Sequence, residues 1–149
     1  MTISTRQASR DDVEAIAHLF DAYRQFYAQP PSIDVARGFI GDRLANNQSV
    51  IFVAEDSGRM IGFCQLYPSF CSVQAAPIYT LYDLFVQESA RKSGAGRQLI
   101  TAAEAHARST GAVRLDLTTA KDNLRAQSVY EALDWVRDDV FYTYQKAIR

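Results

Sequence analysis

The feature that most constrains this chain is a buried strand followed by a glycine-rich turn and an amphipathic helix. Residues 78–86 form a near-continuous apolar and aromatic run, which predicts a strand buried on both faces. A helix is predicted from Arg97 to about Thr110, and the turn before it contains Gly94 and Gly96. Glycines let backbone N–H groups approach a ligand closely, and a helix N-terminus favours anions. The unit predicts a cradle for a pyrophosphate, although a turn that only reverses the chain would also use such glycines.

The charges around this turn favour a small anion over a nucleic acid. Arg91, Lys92 and Arg97 flank the glycines, but the net charge of the chain is −1 and no basic face is evident. The turn is not the dinucleotide-binding fingerprint, because Leu99 stands at its third glycine position. It is not a P-loop either, because no Lys-Ser/Thr pair follows Gly96. We therefore expect no nucleic-acid partner.

The remaining patterns predict a mixed α/β chain with the element order β-α-α-β-β-β-α-β-α-β-β. Ser9 is a candidate cap for the first helix, and Asp34 for the second. The other predicted elements are a strand at 2–7, a hairpin of 49–55 and 60–67, a loop from Pro68 to Pro77, a strand at 112–118, a helix at about 124–133, and a final strand pair around Trp135 and at 141–146.

Length and composition bear on the number of domains, disulfides, metal sites and the cellular compartment. The 149 residues are enough for one domain, so we expect a single domain over 1–149. Cys64 and Cys71 are too few for a disulfide framework and are expected to be free thiols in a reducing compartment. His18 and His106 are the two histidines, so no metal-ligand cluster is expected. No signal-peptide pattern or bilayer-length apolar run is present, which favours a cytoplasmic protein without a membrane partner.

Two sequence blocks resemble a known family. The segment 84–100, with Arg91-x-x-Gly94-x-Gly96 at its centre, resembles the acetyl-CoA-binding motif of the GNAT superfamily of N-acetyltransferases. A downstream block, Asn123-x-x-Ala126-x-x-x-Tyr130-x-x-Leu133-x-Trp135, is similar to the second signature of that family. The resemblance implies a GNAT-like α/β domain with a central mixed, mostly antiparallel sheet flanked by helices. It also implies transfer of an acetyl group from acetyl-CoA to an amine.

The resemblance also implies which residues bind the cofactor. In the family, the backbone of the central strand holds the pantetheine arm like an added strand, and a backbone N–H there polarises the thioester carbonyl. The N–H groups of the turn hold the pyrophosphate, and the start of the next helix contacts the cofactor arm. The corresponding residues here are Leu84, Phe85, Val86, Arg91, Lys92, Ser93, Gly94, Ala95, Gly96, Arg97, Asn123 and Ala126.

Two residues carry the implied chemistry. Tyr130 is the candidate general acid that protonates the departing CoA thiolate, with a packed helix aromatic as the alternative. Asp83 resembles the acidic residue of polyamine and other small-amine acetyltransferases, although Tyr82 stands where that subgroup often has a second acidic residue. Asp83 would act as general base or hold a cationic amine, and burial would raise its pKa. The alternative is a structural carboxylate bonded to backbone or to an arginine.

The sequence specifies the amine that accepts the acetyl group less closely than it specifies the cofactor. A small primary amine is the leading expectation, including a polyamine, a diamine or an amino-acid-like amine. Protein N-termini, lysine side chains, aminoglycosides and a non-catalytic CoA-binding module are the alternatives. Candidate acceptor-side residues are Asp21, Tyr23, Arg24, Phe26, Tyr27, Tyr67, Phe70, Tyr79 and Tyr142. Asp134 replaces the usual family glycine, at a position that often has a left-handed conformation. Relatives often dimerise through their C-terminal or edge strands, so the resemblance implies a homodimer. The segment 141–144 is a candidate for that contact, with a core-facing strand as the equal alternative.

Overall fold

The computed structural model describes residues 2–149, which divide into two compact units. The first unit ends at Thr118, and the second is Thr119–Arg149. The elements of the first unit are β1 Ile3–Gln7, α1 Val13–Phe26, α2 Ile33–Ala45, β2 Val50–Asp56, β3 Arg59–Cys71, β4 Ala76–Val86, α3 Ala95–Ser109 and β5 Leu115–Asp116. Among the described residues, no helix has the length and apolar character needed to cross a membrane.

The five strands form one sheet in the order β1-β2-β3-β4-β5. Strands β1 to β4 are antiparallel, and β5 runs parallel to β4. The predicted mixed, mostly antiparallel sheet is therefore confirmed. Strand β5 pairs with β4 only at Tyr79 and Thr80. On that side of β4, residues 81–86 have no strand partner within residues 2–149.

Helices cover both faces of the sheet. On one face, α1 and α2 pack on β2, β3 and β4 through buried side chains that include Ile16, Ile40 and Phe63. On the other face, α3 contributes the buried Leu99 and Ile100, among others, as its apolar spacing predicts. Each such buried side chain stabilises the fold by about 1.5–3 kcal/mol. The core thus holds β4 rigidly between two helical layers.

Several predicted boundaries differ from the observed ones. The loop predicted from Pro68 to Pro77 is wrong, because β3 and β4 continue as a long hairpin that pairs as far as Cys71 and Ala76. Helix α2 is capped by Ser32, whose hydroxyl accepts from the Val35 N–H, and not by Asp34. Helix α3 begins at Ala95, two residues before the predicted start. These differences depend on individual hydrogen bonds at the ends of the elements, which the hydrophobic pattern does not encode.

The second unit contains α4, Leu124–Ala132, and an extended C-terminal segment. The predicted final strand pair is not formed, since residues 133–149 contain no strand. The aromatic side chains of Phe141, Tyr142 and Tyr144 are 79%, 91% and 88% exposed. A strand needs a partner for its backbone groups, and alternating aromatic residues alone do not provide one.

Helix α4 ends as the sequence predicts, with a left-handed residue at Asp134. Its φ is 68°, the Asp134 N–H bonds to the Glu131 carbonyl, and the Trp135 N–H bonds to the Tyr130 carbonyl. These two bonds form a Schellman motif, in which glycine is normally preferred. Asp134 therefore stabilises the helix end at some conformational cost.

Replacing Asp134 with glycine is expected to raise the free energy of unfolding by about 1 kcal/mol, because glycine adopts a positive φ without strain. Urea denaturation followed by circular dichroism measures this change. Asp42→Gly is the matched control, since Asp42 lies inside α2, where glycine is expected to lower the free energy of unfolding by roughly a few tenths of a kcal/mol because aspartate is itself a poor helix former. Equal destabilisation by both variants would contradict the role of φ at residue 134.

Candidate active site

The glycine-rich turn presents a row of free backbone donors. Lys92 and Gly94 have φ values of 67° and 91°, and Gly94 caps α3. The N–H groups of residues 92–94, 96 and 97 donate to no acceptor within residues 2–149, whereas the Ala95 N–H bonds to the Ser93 hydroxyl. Free N–H groups at a helix N-terminus form a site for anions. The turn therefore fits the phosphate groups of a nucleotide cofactor.

The space beside this turn is open. A Cβ built on Gly94 has no atom within 4 Å, and one built on Gly96 meets only the Val86 side chain at 3.9 Å. Arg91 connects the turn to the end of β4 by a hydrogen bond, in which its Nε donates to the Val86 carbonyl at 3.0 Å. Its guanidinium carbon lies 5.5 Å from the centre of the Phe85 ring. The predicted cofactor residues 84–86 and 91–97 are thus contiguous along one edge of the first unit.

Asp83 is a buried carboxylate in a chain of polar side chains. It is 5% exposed, and its Oδ2 accepts from Gln65 Nε2 at 2.7 Å. The Ser49 hydroxyl in turn donates to Gln65 Oε1 at 2.7 Å, which fixes the orientation of the amide. Burial raises the pKa of Asp83, while the interactions with Gln65 and Tyr23 partly oppose that rise. The expected upward shift is therefore confirmed in direction.

A β-bulge separates the side chains of Asp83 and Tyr82. Gln65 pairs with Asp83 and Leu66 pairs with Leu81, so Tyr82 has no partner on β3. Tyr82 is 65% exposed, while Asp83 is buried. Bulges of this kind redirect side chains beside active sites. Here the bulge leaves an aromatic ring at the surface immediately next to a buried carboxylate.

An open groove of about 580 Å³ lies beside this bulge. Its lining residues come from α2, the turn after it, β3 and β4, and they are Phe39, Arg43, Gln48, Tyr67 and Tyr82. The rings of Tyr67 and Tyr82 are 5.4 Å apart in an edge-to-face contact. Burial and the Asp83 charge raise the pKa of Tyr67 to about 12, and Arg43 acts against that rise. The Asp83 carboxylate therefore contributes to the electrostatics of the groove.

The candidate acceptor-side residues divide into those near Asp83 and those elsewhere. Tyr23 interacts with Asp83, and Tyr67 lines the groove. Tyr79 instead packs against His106, and Phe70 is 78% exposed. Asp21 accepts hydrogen bonds from the Ser32 N–H and from Gln25, so it has a structural role at the helix ends.

Three residues of this region were not identified from the sequence. Gln65 and Ser49 orient Asp83, and Arg43 lines the groove. A signal for Gln65 does exist, because it is the one polar side chain between the apolar residues 60–64 and Leu66. Arg43 also stands four residues after Phe39, a spacing that places both on one helix face. Nothing in the sequence alone connects either signal to Asp83.

The second unit holds the other predicted residues. The Asn123 Oδ1 caps α4 by accepting from the Ala126 N–H at 3.2 Å. The side-chain N–H donors of Asn123 bond to no group in the described part of the chain. In the last turn of α4, the centre of the Tyr130 ring lies 5.9 Å from that of Trp135. Asn123 and Ala126 thus meet at the start of α4, while Tyr130 lies near its end.

Comparison with known proteins identifies the family. The model of the acetyltransferase (GNAT) family matches residues 13–135. The chain belongs to the GNAT acetyltransferase family. It is 45% identical over 142 residues to the uncharacterized N-acetyltransferase YhfO of Bacillus subtilis, covering 95% of each chain.

Solved structures agree with this assignment of a GNAT acetyltransferase. A crystal structure of a probable acetyltransferase is 37% identical, has a TM-score of 0.91, and is matched over 100% of this chain and 99% of that one. The aminoglycoside N-acetyltransferase AAC(6')-Iy in complex with CoA has a TM-score of 0.82 at 22% identity, covering 97% and 95%. The predicted fold class and the predicted enzyme class are therefore confirmed.

Removing the amide of Gln65 is expected to raise the pKa of Asp83 further. The Gln65 hydrogen bond stabilises the charged carboxylate, so its loss in Gln65→Leu disfavours ionisation. Carbon-13 NMR titration of the Asp83 carboxyl measures the shift without any assumption about substrate. Ser49→Ala is the graded control, because it keeps the amide and removes only the group that orients it. A pKa of Asp83 that falls in Gln65→Leu would contradict this arrangement.

Proposed function

We propose that this GNAT acetyltransferase transfers the acetyl group of acetyl-CoA to a small primary amine, by direct attack of the amine in a ternary complex. The observation that carries the proposal is the buried Asp83, whose pKa is raised and whose charge acts on the groove lined by Tyr67. A carboxylate with a raised pKa accepts a proton more readily than an ordinary one. The polyamine subgroup is less well supported than small amines, because Arg43 also lines the groove.

We propose that the first unit binds most of the CoA. The free N–H groups of the turn at 92–97 would hold its pyrophosphate, and Lys92 and Arg97 would add positive charge. The unpaired edge of β4 at 84–86 would bond the pantetheine arm like an added strand. Acetyl-CoA supplies the activated acetyl thioester that an amine can attack. Asn123 would donate its side-chain N–H groups to the cofactor arm.

Asp83 is proposed as the general base of the reaction. An amine is protonated near neutral pH and attacks only after it loses a proton. The carboxylate would take that proton, directly or through a water molecule. The Gln65 amide, oriented by Ser49, would keep the accepting carboxylate in place and limit the rise in the pKa of Asp83.

Tyr130 is proposed as the general acid, on the strength of its place in the second family signature. The sulfur of CoA leaves as a thiolate and needs a proton, which the phenol hydroxyl of Tyr130 would donate. An unperturbed phenol has a pKa of about 10 and a thiol one of about 8.5, so the transfer needs good positioning.

A panel of amines tests the proposed function. Free CoA thiol is followed while the enzyme is offered acetyl-CoA with monoamines, amino acids, polyamines, aminoglycosides and a basic peptide. Turnover on small amines, with kcat/KM at least tenfold above the other classes, supports the proposal. Preference for aminoglycosides or for the peptide would replace the small amine with that acceptor. Tight binding of acetyl-CoA without turnover on any class would contradict it.

We further propose that residues 1–149 act as one acetyltransferase domain in the cytoplasm and form a homodimer. The family model spans parts of both units, which supports one domain. Phe141, Tyr142 and Tyr144 are exposed aromatic side chains within four residues, which supports a contact with a second copy, because clustered exposed apolar groups often mark interaction surfaces. Sedimentation velocity distinguishes a dimer from a monomer of 16.7 kDa.

A further inference from the structure

Arg43 is held in the groove by two neighbours. Its guanidinium carbon lies 4.3 Å from the centre of the Phe39 ring, and its Nε donates to Gln48 Oε1 at 2.8 Å. Gln48 is fixed in turn, because its N–H bonds to the Arg43 carbonyl at 2.9 Å across the end of α2. Asn47 makes that turn possible with a φ of 50°. The guanidinium is therefore preorganised and loses little side-chain entropy when a ligand binds.

The charge of Arg43 has no internal counterpart. Within residues 2–149 no carboxylate lies in ion-pair distance of Arg43, and of the described arginines without an ion pair it is the one that lines this groove. Its remaining N–H groups bond to no other described residue. The planar fork of an arginine matches the two oxygens of a carboxylate. A stacked and unneutralised guanidinium that lines a groove is thus suited to an anionic group of a ligand.

The negative charge of Asp83 also acts on a residue that lines the groove. The pKa of the Tyr67 hydroxyl responds to Asp83 and to Arg43 in opposite directions, so this hydroxyl lies within electrostatic range of both. Its pKa of about 12 keeps it protonated at neutral pH, where it can donate a hydrogen bond. The groove is thus lined by a cation from α2, and the carboxylate of Asp83 is buried on β4 next to the lining residue Tyr82, without lining the groove itself.

We propose that the acceptor of this acetyltransferase is a primary amine that also carries a carboxylate, with the carboxylate bound by Arg43 and the amine group directed to Asp83. The proposal rests on the proposed amine acetyltransfer and names its substrate class. A polyamine fits less well because its second ammonium group would meet Arg43. A phosphate dianion also fits less well, since the other residues that line the groove are uncharged.

Matched pairs of acceptors test this class. Each pair is an amino acid and its decarboxylated amine, such as lysine with cadaverine and phenylalanine with phenethylamine. An aminoalkylphosphonate is assayed beside them to test a phosphate-like group in place of the carboxylate. A charge-assisted hydrogen bond of the usual strength predicts that kcat/KM is about 10- to 100-fold higher for the carboxylated member. Equal or better use of the decarboxylated member, or of the phosphonate, overturns the proposal.

Arg43→Gln tests the residue. The ratio of kcat/KM between carboxylated and decarboxylated acceptors is expected to fall at least tenfold, through KM for the carboxylated acceptor, while KM for acetyl-CoA stays constant. Arg43→Lys is expected to keep part of the ratio. Arg59→Gln is the matched control, because it removes one positive charge at the start of β3, outside the groove. A ratio that is unaltered in Arg43→Gln overturns the proposal.

A binding measurement separates this proposal from the proposed reaction. If no amine is acetylated, the proposed reaction fails, and the same pairs are titrated into the CoA-loaded protein by calorimetry. Binding of the carboxylated members with at least tenfold lower Kd, lost in Arg43→Gln, supports the carboxylate site on its own. Absence of that preference in the wild type overturns it. Circular dichroism of each variant checks that the fold is retained.

Discussion

Replacing Asp83 with asparagine is expected to lower kcat/KM for the amine about 10²- to 10⁴-fold, because the variant lacks the proposed general base. The amide is similar in shape and can still accept a hydrogen bond from Gln65, so the fold is expected to remain. Steady-state assays of CoA thiol release measure the loss. Asp42→Asn on α2 is the matched control and should keep full activity.

The KM and kcat values of Asp83→Asn separate the two roles of Asp83, because both roles need the ionised carboxylate and share the same acidic limb. A base must be ionised, so activity rises with pH through the pKa of Asp83, which burial raises above the ordinary aspartate value of about 3.9. The acidic limb of kcat/KM should therefore lie above that value and disappear in Asp83→Asn. If Asp83 only holds a cationic amine, the variant raises KM and leaves kcat within about threefold. That outcome would contradict the role of general base.

Ionisation of Asp83 should affect the free energy of unfolding and the activity in opposite senses as the pH rises. The folded pKa is raised, so the folded state binds this proton more tightly than the unfolded chain does. The stabilisation is complete below the unfolded pKa and is lost as pH rises through the folded pKa. Asp83→Asn cannot ionise, so at pH 8 its free energy of unfolding should equal or exceed that of the wild type. Urea denaturation at pH 8 measures the difference.

The second large effect is expected for Tyr130→Phe, with kcat about 10²- to 10⁴-fold lower and KM for acetyl-CoA unaltered, because a proton donor acts only during the reaction. The phenylalanine ring can keep the contact with Trp135, and thermal unfolding of the variant checks that the fold is retained. Single-turnover release of CoA thiol isolates the chemical step.

Tyr144→Phe is the matched control for Tyr130→Phe. It removes the same hydroxyl from a residue of the second unit that is 88% exposed. Full activity in the control with loss in Tyr130→Phe assigns the effect to the position. Turnover within twofold of the wild type in Tyr130→Phe would exclude this hydroxyl as the general acid.

Sequence patterns predicted the elements whose signals are local. The turn around Gly94 and Gly96, the apolar stripe of α3 and the left-handed position of Asp134 each depend on a few neighbouring residues. The final strands were predicted by the same kind of alternation and did not form, because a strand depends on a distant partner. The loop predicted from Pro68 to Pro77 was wrong for a related reason, as β3 and β4 supply each other's backbone partners.

The sequence by itself determined the family signatures, the position of the turn and the presence of one acidic residue, Asp83, in a buried strand. Only the tertiary structure decided what surrounds that residue. Gln65 on β3 donates to it, Ser49 holds Gln65 in place, and Arg43 lines the nearby groove from α2. These residues are far apart in the chain, and no local pattern links them. Their roles arise from strand register, a β-bulge and helix packing, which bring charges together only in the folded chain.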